Sequence, residues 1–90
     1  MENVMGKVKE ELIEAYLEGR KISAEMYCGE MLSMFVSFII SDITDYNDAL
    51  EITAEGINID LGEFTDVVYD EGEECYVLKE GDLSIDLYIS

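Results

Sequence analysis

Any chemistry in this chain would fall to carboxylates. Of 90 residues, 22 are Asp or Glu and 5 are Lys or Arg; there is no His, and the cysteines are Cys28 and Cys75. Glycosidase-type acid/base work needs two carboxyl groups flanking a cleft, one with its pKa raised by burial. The acids here fall mostly at turns or opposite apolar positions, where water keeps them ionised. With no GxSxG, HExxH or P-loop spacing either, the expectation is a protein that is not an enzyme and carries no cofactor.

Metal chemistry fares no better. Two cysteines without a CxxC or HxxxH spacing would need carboxylates to complete a zinc site. Asp42, Thr44, Asp45, Asn47, Asp48 and Glu51 form an oxygen-rich segment that invites a calcium reading. An EF-hand loop begun at Asp42 puts Asn47 at the glycine position and Thr53 at position 12; begun at Asp45 it puts Leu50 and Gly56 there. Both registers fail, and a turn cluster is the simpler reading.

What remains is charge. The formal net value is −17, and it divides unevenly: residues 1–41 carry −3 and residues 42–90 carry −14. Lys7, Lys9, Arg20, Lys21 and Lys79 are the whole basic supply, too few to neutralise a run of phosphates or to dock on anionic lipid, so neither nucleic acid nor membrane is an expected direct partner. A hydrophobic fraction of 49% separates the chain from disordered acidic sequences. Its size suits one domain over residues 1–90 with one modest core. Met1 to Lys9 lacks an apolar leader segment, so a cytoplasmic protein with reduced thiols is expected.

The elements that must position these acids follow from periodicity. Val4, Val8, Leu12 and Ala15, joined by Met5, Ile13, Tyr16 and Leu17, recur at helical spacing, and Gly19 marks the stop. Ser23 is a candidate N-cap for a second helix with Glu25 in its first turn. The later part of that helix, Met31 to Ile40, is apolar nearly all round, is too short to span a bilayer, and needs cover on more than one side. A polar segment, Asp42 to Asp48, follows. The period then changes to two: Leu50, Ile52 and Ala54; Ile57, Ile59 and Leu61; Leu83, Ile85, Leu87 and Ile89 alternate with polar residues. Residues 65–69 and 74–79 are strand-like with uncertain facing. Glu55-Gly56, Glu71-Gly72 and Glu80-Gly81 punctuate the strands where turns should fall. The expected fold is therefore α+β: two N-terminal helices packed on one face of a four- to five-stranded antiparallel meander.

On such a sheet the acids acquire meaning. Spread evenly, seventeen charges would lie about 18 Å apart, beyond the roughly 8 Å Debye length at physiological salt. Outward strand residues lie only about 6.7 Å apart, and a DNA strand carries a phosphate every ~3.4 Å, so carboxylates at two-residue spacing match about every second phosphate. Glu51, Glu55, Asp60, Asp66, Asp82 and Asp86, with Asp70, Glu71, Glu73 and Glu74 at the rim, are the candidate face, and Tyr69, Tyr76 and Tyr88 its aromatic anchors. The expected partner is a basic nucleic-acid-binding protein or nuclease, inhibited as by anti-CRISPR, anti-restriction or immunity proteins. The alternative is a small structural or regulatory domain that homodimerises through its second helix, with Met31, Phe35 and Phe38 as dimer or core residues. Salt adaptation ranks third, because ten isoleucines and four alanines do not suit it.

Overall fold

The structure, a computed structural model, describes residues 4–46, 50–64 and 66–89. Helix α1, Val4–Glu18, forms on the apolar stripe read from the sequence, with Val8, Leu12 and Ala15 fully buried along it. It ends where glycine allows. Gly19 takes φ +67°, its N–H donates to the Tyr16 carbonyl (3.3 Å), and the Arg20 N–H donates to the Ala15 carbonyl (2.9 Å). These are the two bonds of a left-handed glycine cap.

The second helix does not form. In its place stand two antiparallel strands, β1, Lys21–Cys28, and β2, Met31–Ile39, joined through Gly29 at φ +66°. Ile22, Ala24 and Met26 alternate with Ser23, Glu25 and Tyr27, so the period in β1 is two, and β-branched and aromatic residues favour the strand. Ser23 is no N-cap; its Oγ lies 3.1 Å from that of Ser37 across the ladder. Met31 to Ile40 mimics an all-round apolar helix because β2 carries large apolar side chains on both faces.

Six further strands follow: β3, Asp42–Asp45; β4, Leu50–Ala54; β5, Ile57–Asp60; β6, Asp66–Asp70; β7, Cys75–Glu80; and β8, Leu83–Ile89. The polar segment thus contributes a strand, while its Asn47 and Asp48 lie outside the described residues, as does Thr65. Leu61, expected to close a strand, opens a 3-10 turn, Leu61–Glu63, capped by Asp60 Oδ1 accepting from the Gly62 N–H at 2.9 Å. Two sheets result, one ordered β2-β1-β8-β7-β6 and the other β3-β4-β5. The described chain is mostly β, with one helix and eight strands, and not two helices on a single meander. β6 to β8 do run as a meander, but β1 docks beside β8 and so carries the hairpin to the far edge.

One apolar cluster joins the layers. Val8, Leu12 and Ala15 of α1 meet Ile22, Leu78, Ile85 and Leu87 of the large sheet and Leu50, Ile52 and Ile59 of the small one. Lys9 fastens α1 to β3, its Nζ lying 2.7 Å from Asp45 Oδ1 and donating to the Tyr46 carbonyl at 2.8 Å. No helix among the described residues is long and apolar enough to cross a membrane.

Candidate acidic interface

Residues directly opposite on neighbouring strands share a face. The large sheet buries Ile22, Ala24, Leu78, Ile85 and Leu87 on one side, and the registers assign the other side residue by residue. Its central row runs Phe35, Glu25, Asp86, Val77, Val68. One neighbouring row holds Leu32, Tyr27, Ser84, Lys79 and Asp66. On the opposite flank lie Ser37, Ser23 and Tyr88, and beyond them Cys75 beside Asp70. This outer face brings Glu25, Asp86, Asp66 and Asp70 of three different strands onto one surface.

Its centre is a like-charge pair. Glu25 and Asp86 stand opposite each other on β1 and β8, both half-buried. Burial, and then the charges of Glu25, Asp70 and Glu73, push the Asp86 carboxyl above its ordinary value, with Lys79 opposing. Two tyrosines answer the pair. Tyr27 donates to Glu25 Oε2 at 2.8 Å, and this bond, chiefly, raises its own pKa. Burial and a hydrogen bond to Glu25 raise that of Tyr88, which also bonds the Cys75 thiol. Cys75 is buried there and its thiol is pushed up by that burial, so it is a poor nucleophile at neutral pH. Both cysteines are free thiols, Cys28 being exposed.

The rim is built by turns. Asp70 Oδ1 accepts from the N–H groups of Gly72 (3.0 Å) and Glu73 (3.2 Å), which projects Glu71, Glu73 and Glu74 into solvent at the β6–β7 corner. The left-handed residue of that corner is Glu74, at φ +56°, rather than Gly72. Asp82 extends the acidity at the β7–β8 corner. A groove of about 450 Å³ crosses this face between Tyr27, Asp70, Lys79, Asp82 and Asp86. No group of three or more His, Cys, Asp or Glu among the described residues is placed to hold a metal ion.

The candidate residues therefore separate. Asp66, Asp70, Glu71, Glu73, Glu74, Asp82 and Asp86 gather on the outer face and its corners, with Tyr88 among them. Glu51 and Asp60 belong to the small sheet, where they oppose each other and Asp60 is committed to its turn, and Glu55 lies in the β4–β5 turn. Tyr69 and Tyr76 sit on the helix side of the large sheet, ring centroids 5.0 Å apart and edge to face, with the Tyr76 hydroxyl donating to Glu11 of α1. Tyr76 is buried and Tyr69 stays partly exposed beside it; neither stands among the outer acids. Of the candidate dimer residues, Met31 and Phe35 are exposed on β2 and Phe38 is buried. Glu25 and Tyr27 escaped the sequence reading because it placed them on a helix, although the alternation over residues 22–27 before Gly29 carried the signal.

No protein-family profile matches the sequence, and neither does any curated protein. Among solved structures, the chain is similar to the Bacillus subtilis YojF protein, with a TM-score of 0.54 at 18% identity, over 100% of this chain and 92% of that one. That likeness concerns the fold alone.

Proposed function

We propose that this chain is a non-enzymatic acidic binding protein, acting in the cytoplasm of its producing or host cell. Its outer sheet face would occupy the basic groove of a nucleic-acid-binding protein or nuclease. The observation that carries the reading is the Glu25–Asp86 pair, where two carboxylates oppose each other on adjacent strands and Asp86 feels Asp70 and Glu73 as well. Strands lie roughly 4.8 Å apart, inside the Debye length, so these charges act jointly on an approaching cation. An arginine-lined groove would relieve their mutual repulsion, and long-range attraction would speed the encounter. Tyr27 and Tyr88 replace Tyr69 and Tyr76 as the aromatic contacts on this face.

Capture from a nuclease-treated lysate, eluted by a salt gradient, supplies the partner. The purified pair then tests the face. Glu25→Lys with Asp86→Lys is expected to weaken binding at least tenfold, whereas Glu51→Lys with Glu55→Lys, on β4 and the turn after it, leaves it within about twofold. A duplex oligonucleotide should compete for the partner; a ternary complex of partner, oligonucleotide and this protein would refute mimicry.

A further inference from the structure

We infer that two copies of this chain associate edge to edge through β2, antiparallel, joining their five-stranded sheets into one. The large sheet has two edges, β6 and β2. β6 is five residues long and carries Asp at both ends, the usual protection of an edge against pairing. β2 runs nine residues, Met-Leu-Ser-Met-Phe-Val-Ser-Phe-Ile, with no charge and no proline. In a chain with 27 charged residues the longest edge is the unprotected one.

Exposed apolar side chains line this edge. Met31 is 75% exposed, Phe35 61%, Ile39 55%, Leu32 50% and Met34 48%. These amount to about three fully exposed large apolar residues, roughly 500 Å² per copy. In-plane pairing would cover the part of this area that faces the partner strand, together with the β2 backbone edge.

Charge selects a second copy as the occupant. The face acids of the large sheet begin one strand behind β2, at Glu25 opposite Phe35. With β2 paired to β2, the two Glu25 side chains would stand three strand spacings apart, about 14 Å, beyond the ~8 Å Debye length. Along the chain, Glu30 and Asp42 fall outside the strand ends. The uncharged edge is thus where two strongly acidic molecules can approach, and a two-fold axis makes the surface its own complement.

Sedimentation equilibrium of the full chain at 0.05 and 0.5 M NaCl tests this. The expected result is a dimer that tightens with salt, since apolar contact persists while residual repulsion is screened. Phe35→Glu, at an exposed position, should raise the dissociation constant at least tenfold, with Phe35→Ser shifting it in the same direction. Leu17→Glu, at a position even more exposed but on α1, should leave it unchanged. Amide exchange adds the strand itself: the β2 amides that point away from β1 should be slow in the wild type and fast in Phe35→Glu. A monomer at ~100 μM in both salts, a dimer indifferent to Phe35→Glu, or a dimer whose outward β2 amides stay fast would each overturn the proposal. A monomer that instead takes up another protein's strand counts against it too.

Discussion

Asp86 is the residue at which the acidic face can be weighed. Its carboxyl is held above the ordinary 3.8 by burial and by Glu25, Asp70 and Glu73. The folded chain therefore binds that proton more tightly than the unfolded one. Well below pH 3.8 both states are protonated at this site and it contributes nothing to pH dependence. As pH rises from 3.8 through the raised value, the fold must ionise a carboxyl beside like charges, and this contribution to stability falls. Asp86→Asn removes that loss. At pH 7 it should stabilise the fold by ~0.2–1 kcal/mol, the range for like charges directly opposed on a sheet, or about 1–8 °C in Tm. At pH 3 the variant and the wild type should melt together, and a variant less stable at pH 7 would mean that the Lys79 attraction outweighs the repulsion.

At the scale of elements, α1 is held by its stripe rather than by propensity. Leu12 is fully buried between the helix and both sheets, while Leu17, five residues on, is 75% exposed. Leu12→Ala should cost about 2–5 kcal/mol in urea unfolding, and Leu17→Ala should lie within ~0.5 kcal/mol of wild type. Similar losses at both positions would mean that the helix does not cap the core as described. The helix was legible from Val4 to its glycine stop because period, cap and burial agree. The β1–β2 hairpin was not, since Glu30, Ser33 and Ser37 fall at steps of three and four and imitate a polar helical stripe. Ser33 and Ser37 lie on the edge strand, which carries apolar side chains on both faces, and Glu30 belongs to the turn, where Gly29 takes a positive φ.

For the whole molecule, −17 charges in a fold with principal extents of 33 × 33 × 24 Å cannot avoid one another. Raising ionic strength from 0.01 to 0.15 M shortens the Debye length from ~30 to ~8 Å, so self-repulsion across the whole body gives way to contact-range terms. Tm should therefore rise by several degrees over that interval in thermal melts, and most of the rise should be complete by 0.15 M. A flat profile would mean that the charges are already compensated within their local networks.

Composition and period alone determined the acidity of the chain, its concentration after residue 41, the first helix, and the strands β4 and β8. Those features are local: each depends on residue type and on spacing within one element. Tertiary structure decided which acids meet. Glu25 and Asp86 are 61 positions apart and become neighbours only because β1 inserts beside β8. Glu51 and Asp60 are closer to Asp86 in sequence and yet belong to another sheet. Face membership depends on strand order and register, and these are fixed by long-range burial of Ile22, Ile85 and Leu87 in a common core, which no pattern within a single strand encodes.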